Sequence, residues 1–232
     1  LYDLLMGAEL WWHRLEDLFQ GKDRSDVSSV TAIIKTFERP YAVNRLVKSI
    51  RRRYPDLQVI VVDDSREPGR IDGVHNISMP YNTGISVGRN HALEHTETPY
   101  FLLLDDDFVF SHRQQLGQLI DFMDRHPEVD ILGGHCIDLP LYIEHEFHDM
   151  PLFRSAREPK IPPGTRIEDY VVVNKVQNFF IGRTRPIRDF RWKDELKIHE
   201  HTEFFPRACG ALTTVYNKDM RVLHAKTPFD IE

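Results

Sequence analysis

Apolar residues in the first two thirds of the chain follow two alternating periods. VTAIIKT (Val30 to Thr36) is rich in β-branched residues and ends at Arg39-Pro40, and Val43, Leu46, Val47 and Ile50 then recur at i, i+3, i+4, i+7. LQVIVV (Leu57 to Val62) is a second continuous apolar run. Such spacing predicts strand, amphipathic helix, strand, and uninterrupted apolar strands suit a parallel sheet covered on both faces. The pattern repeats with a short strand at Asn76 to Met79, a helix from Ile85 to Glu94, a strand at Tyr100 to Leu104, a helix bearing Leu116, Leu119, Ile120 and Met123, and a strand at Asp130 to Gly133. After about residue 137 the alternation fails, and the polar, Pro-containing stretch 151–168 reads as a long loop or lid.

Before this region, Leu10, Trp11, Leu15 and Leu18 stand at roughly helical spacing, and QGKDRSD then breaks the pattern. The expected organisation is an N-terminal helix over residues 1–28, serving as linker or packing element, and one α/β domain over 29–232.

Composition narrows the partners. With 30 Lys and Arg against 36 Asp and Glu the formal charge is −6, so no global basic field favours a nucleic-acid polymer. The strongest basic cluster, Arg51-Arg52-Arg53, closes a predicted helix, where cations favour the dipole and face water. No run of about 18 apolar residues exists, so a membrane partner is expected only through segments absent from this chain. Cys136 and Cys209 are too few for a disulfide scaffold and read as two buried thiols. Asn76-Ile77-Ser78 matches a glycosylation sequon, a triplet that also arises by chance.

Candidate chemistry lies at the strand ends. In open α/β sheets ligands bind beyond the carboxyl ends of the strands, and three such ends are polar here: Lys35-Thr36 with Arg39, Asp63-Asp64-Ser65, and Asp105-Asp106-Asp107. Three adjacent carboxylates after the apolar run FLLL need a compensating cation or hydrogen bonds. If the strand continues through them, Asp105 and Asp107 point to one side, a spacing suited to chelating Mg²⁺ or Mn²⁺. A cation held there neutralises a diphosphate leaving group. Between these ends, Gly84 and Gly88 in YNTGISVGRN allow close backbone approach, while Arg89 offers a fork of donors for phosphate or a nearby aspartate. A nucleotidyltransferase on a similar sheet would need a basic Gly-rich loop, which GKDRS (Gly21 to Ser25) matches poorly.

The ordered motifs TAIIKTFERP, VIVVDDS, NTGISVGRN and YFLLLDDDFVF, followed by VQNFFIGRT, HTEFF and LHA, resemble family 2 glycosyltransferases of the GT-A fold. The resemblance is nearest to ganglioside-type β-1,4-N-acetylgalactosaminyltransferases and covers roughly residues 28–228. It implies a Rossmann-like α/β domain, mostly parallel with helices on both faces. It also implies inverting transfer of GalNAc or GlcNAc from a UDP-sugar donor to a carbohydrate or glycolipid acceptor. On that resemblance Thr36 and Arg39 would line the nucleotide pocket, Asp63 and Asp64 would hold uracil and ribose, and Gly84, Arg89 and Asp106 would support the nucleotide-sugar. Asp105 and Asp107 would be the DxD-type pair, with His224 completing a site for Mn²⁺ or Mg²⁺. Asn178, Phe179 and Trp192 would belong to the acceptor or sugar pocket, although packed core is the plainer reading of the aromatic residues. Glu203 or Glu200 would act as base with His201 as orienting partner, the choice among the three staying open because His201 stands where the broad family has an Asp base. That departure keeps open a second reading, a degenerate domain that binds glycans or a partner without turnover. A member of the animal type would work in the Golgi lumen, and a bacterial one in the cytoplasm or at its membrane.

Overall fold

The structure, a computed structural model, describes residues 2–20, 23–112, 114–144 and 157–226. Its elements run α1 (Tyr2–Gln20), β1 (Val30–Thr36), α2 (Pro40–Arg53), β2 (Gln58–Asp63), β3 (His75–Ser78), α3 (Ile85–Glu94), β4 (Tyr100–Asp105) and β5 (Phe108–Val109). They continue with α4 (Leu116–Arg125), β6 (Ile131–Asp138), β7 (Ile143–Glu144), β8 (Arg166–Ile167), β9 (Tyr170–Val172), β10 (Phe180–Arg183), α5 (Thr184–Phe190), α6 (Glu200–Ala208) and β11 (Thr214–His224). Among the described residues the strands form one sheet in the order β3-β2-β1-β4-β10-β6-β11-β9-β8, with β5 paired to β11 and β7 to β6.

The half built from β3, β2, β1 and β4 is parallel, as the unbroken apolar runs predict. Pro40 opens α2, and Val43, Leu46, Val47 and Ile50 bury its apolar stripe on one sheet face. Leu116, Leu119 and Met123 of α4 join that core, while α3, α5 and α6 cover the opposite face with Leu93, Ile187, Phe204 and Phe205. Beyond β4 the sheet is mixed. β10 enters antiparallel between β4 and β6, pairing Phe180 with Leu103 on one side and Gly133 on the other. The strand expected at Asp130 to Gly133 continues to Asp138 because β11 pairs with it in parallel on both sides of a bulge between Tyr216 and Arg221.

Several expectations are corrected. Helix α1 docks through Tyr2, Met6 and Leu10 against Val109, Ile137 and Leu223, while Trp11, Trp12 and Leu18 face outward. Arg51, Arg52 and Arg53 are half-buried rather than a solvated face: Arg51 donates to the carbonyls of Leu57 at 2.5 Å and Gly73 at 2.6 Å. Asn76 spends its amide on the backbone of Ile71 and Val74, which ties up the group a glycan would need. Cys136 is buried and Cys209 half-buried, both free. Residues 151–156 of the predicted lid lie outside the described residues, and the rest contains the short strand β8.

Candidate active site

Parallel pairing brings the polar strand ends to one edge of the sheet. Thr36 is in register with Asp63, and Lys35 with Asp105. Asp63 accepts from the backbone N–H of Ser65 at 2.9 Å and of Gly69 at 3.1 Å, fixing the loop after β2. Asp64 accepts from Lys35 Nζ at 2.5 Å and from the Gly84 N–H at 2.8 Å. Gly84 sits at φ 108°, a conformation that favours glycine, and starts α3.

The triple aspartate does not continue as a strand. β4 ends on Asp105, residues 106 and 107 turn, and β5 begins at Phe108. The cause is tertiary: β5 pairs antiparallel with the end of β11, Phe108 opposite His224, and the Ala225 N–H donates to the Asp107 carbonyl at 2.9 Å. The three carboxylates therefore part company. Asp105 accepts from Arg89 at 2.8 Å. Asp106 accepts from Thr36 Oγ1 at 2.7 Å and Arg39 Nη1 at 2.8 Å, and Asp107 accepts from Arg39 Nη2 at 3.0 Å. Thr36 and Arg39 are thus the clamp of the aspartate turn.

Electrostatics separate the three further. Burial pushes Asp106 up to about 7 against the pull of Arg39. Burial also pushes on Asp107, but His224 and Arg39 outweigh it and hold that carboxyl at about 2. Asp105 is raised by burial despite Arg89. His224 is lowered by burial, yet Asp107 and Asp138 raise it to about 9.

Arg89 is 2% exposed and offers no fork to a ligand. Its guanidinium joins Asp105 to Glu200 at 2.6 Å and lies over the Trp192 ring, 5.7 Å from the centroid. One cation therefore couples the aspartate turn to the start of α6. That start follows His199, held at φ 61°, a left-handed conformation that costs roughly 1–3 kcal/mol. Burial raises Glu200, but Arg89 wins and keeps it below the usual carboxylate range. Asn178 Nδ2 lies 3.5 Å from Glu200 Oε1, which turns Asn178 Oδ1 toward His201 Nδ1 at 3.1 Å. Nδ1 then donates, and the lone pair of the neutral ring lies on Nε2. Burial lowers His201 to about 4, so the ring is neutral at pH 7.

The remaining candidates fall elsewhere. Glu203 pairs with Arg207 at 2.8 Å and Lys193 at 3.1 Å, on the side of α6 that meets the end of α5. Phe179 is fully buried against Phe108 and under Gly134, and Trp192 is 3% exposed and stacked on Phe204. Neither presents a ring to a sugar. Of the predicted pocket residues only Asn178 stands beside the base candidates.

Two observations bear on a metal. Among the described residues no group of three or more His, Cys, Asp or Glu side chains is arranged to hold an ion alone. Yet Asp107 Oδ1 is a buried oxygen without an aligned hydrogen bond, facing His224 Nε2 at 3.1 Å. A two-donor site of this kind fits a Mn²⁺ or Mg²⁺ ion that takes its other ligands from phosphate and water. Asp138, whose Oδ1 lies 2.7 Å from His224 Nδ1, was missed in the sequence. The strand-end rule would have found it had β6 been read to its full length.

A mixed, Rossmann-like sheet with an acidic turn at the carboxyl end of the last strand of its parallel half defines the GT-A class of nucleotide-sugar transferase folds. Comparison agrees: the glycosyl transferase family 2 model matches residues 31–190, and the chain belongs to that family. It is 33% identical over 217 residues to human beta-1,4 N-acetylgalactosaminyltransferase 1, covering 89% of this chain and 40% of that protein. It is 32% identical over 197 residues to mouse beta-1,4 N-acetylgalactosaminyltransferase 2, covering 83% of this chain and 38% of that one. The chain thus spans about 40% of the length of the curated relatives it matches. Among solved structures, S. aureus TarS 1-349 in complex with UDP-GlcNAc superposes with a TM-score of 0.63 at 18% identity, covering 88% of this chain and 59% of that one.

Proposed function

We propose that this domain is an inverting, metal-dependent transferase that moves GalNAc or GlcNAc from a UDP-sugar to a hydroxyl of a carbohydrate or glycolipid. The observation that carries the reading is the pairing of Asp107, from the acidic turn after β4, with His224 at the end of β11. Support for the donor comes from relatives named as N-acetylgalactosaminyltransferases and from a structural neighbour bound to UDP-GlcNAc.

Asp107 and His224 would hold Mn²⁺ or Mg²⁺, which when bound neutralises diphosphate charge as UDP departs. Asp63 and Asp64 shape the uridine end by fixing the 65–69 loop and the Gly84 turn. Thr36 and Arg39 hold the aspartate turn in place. His201 is the base: its Nε2, which is buried in this structure, takes the acceptor hydroxyl proton once the acceptor reaches it, while the acceptor oxygen bonds to the anomeric carbon. The carbon–oxygen bond to the diphosphate breaks on the opposite face, and its electron pair leaves with UDP. An imidazole held at about 4 has the basicity of an ordinary carboxylate, so it can replace the family's Asp. Glu200 and Glu203 are both locked in ion pairs and serve as supports.

The test is calorimetric titration of UDP, with and without Mn²⁺, into the wild type and Asp107→Ala. The expected result is UDP binding strengthened by Mn²⁺ roughly tenfold or more, about 1.4 kcal/mol, and lost in the variant. UDP that binds under no condition would overturn the reading. Incubation with UDP-GalNAc or UDP-GlcNAc then separates a transferase, which releases UDP, from a domain that only binds.

A further inference from the structure

We infer that Asp138 is a positioning residue for the metal, fixing His224 so that its Nε2 is presented beside Asp107. The inference rests on the reading that Asp107 and His224 hold a divalent cation. It assigns a role to a side chain outside the triple aspartate and on a different strand.

The geometry comes from the sheet. β6 and β11 run parallel with Asp138 and His224 as register partners, so the two side chains leave neighbouring strands on the same face. Asp138 Oδ1 accepts from His224 Nδ1 at 2.7 Å, which leaves Nε2 as the atom facing Asp107 Oδ1 at 3.1 Å. The backbone is pinned in the same place, since the Leu139 N–H donates to the His224 carbonyl at 2.9 Å. The Phe108 and His224 rings pack T-shaped with centroids 5.3 Å apart, closing a further side. A carboxylate on one imidazole nitrogen fixes the tautomer, aims the other nitrogen and raises its strength as a donor to a metal. Asp138, His224 and Asp107 stand in that order, carboxylate to imidazole to buried oxygen. Loss of Asp138 would free the ring to rotate and remove the acceptor that keeps the proton on Nδ1.

The experiment uses the whole chain with Asp138→Asn, which keeps the shape, and Asp138→Ala. Mn²⁺ is titrated in the presence of UDP and followed by calorimetry and by the electron paramagnetic resonance of free Mn²⁺. Outer carboxylates of this kind are worth about 10–100-fold in metal affinity, and the Asn variant should lose affinity within that range. Mn²⁺ affinity within about twofold of wild type in a folded Asn variant, with binding lost in Asp107→Ala, overturns the role of Asp138 and leaves the metal reading standing. Absence of Mn²⁺ binding in the wild type overturns both. Nitrogen-15 NMR of His224 with Mg²⁺ and UDP gives a check that needs no variant to fold. A proton on Nδ1 with Nε2 bare once Mg²⁺ is bound supports the assignment, and a metal-bound ring with Nδ1 bare refutes it.

Discussion

Replacing His201 with Gln should flatten the pH dependence of stability on the acid side. In the unfolded chain an imidazole takes up its proton near pH 6.5, whereas burial in the folded domain delays this to about 4. Between those values the unfolded state binds more protons, so stability rises with pH. The contribution is fully present above about pH 6.5 and is lost as pH falls toward 4. Taking both values, RT ln[(1 + 10^1.5)/(1 + 10^−1)] gives about 2 kcal/mol lost on moving from about pH 7.5 to about pH 5. Glu200 opposes this shift, while Arg89 and Lys175 add to burial, and all three are present in both proteins. Their own effects therefore largely cancel in the comparison. Urea unfolding, followed by tryptophan fluorescence at several pH values, reads the difference directly. Wild type should lose on the order of 2 kcal/mol more than His201→Gln across that interval. Parallel curves for the two proteins would refute the claim that the fold keeps this ring neutral, and with it the ground for using His201 as base.

Removing the cation that joins the two halves of the site should be more damaging. Arg89→Met leaves Glu200 and Asp105 without their shared partner and is expected to cost about 3–5 kcal/mol of unfolding free energy; a loss below about 1 kcal/mol would mean the pair is solvated. Phe179→Ala is expected to cost about 3–5 kcal/mol by emptying core volume, with UDP affinity of the folded protein unchanged. A variant of normal stability with weakened donor binding would instead return Phe179 to the sugar pocket.

Local pattern was enough for the parallel half of the domain. β1 has the bounds read from the sequence and α2 buries the stripe read for it, because a β-branched run and an i, i+3, i+4, i+7 stripe each admit one regular structure that buries them. The acidic strand ends were legible for a related reason. Carboxylates directly after an apolar strand are costly without compensation, so their placement already marked the sheet edge that carries the candidate site. Aromatic residues were not legible in this way. Phe179 and Trp192 are equally apolar facing a core or a sugar, and only packing against Phe108 and Phe204 resolves them.

By itself the sequence determined the βαβ frame, the acidic edge and the candidates His201 and His224. Tertiary structure decided which of these groups meet. Antiparallel insertion of β10 and parallel pairing of β6 with β11 bring Asp107, Asp138 and His224 together from distant parts of the chain. Arg89 was chosen as a structural link for the same reason: its two carboxylate partners come from β4 and α6. Strand order and register depend on which nonlocal pairs bury the most apolar surface and satisfy the most backbone groups, and that competition is settled over the whole sheet rather than in any one stretch of it.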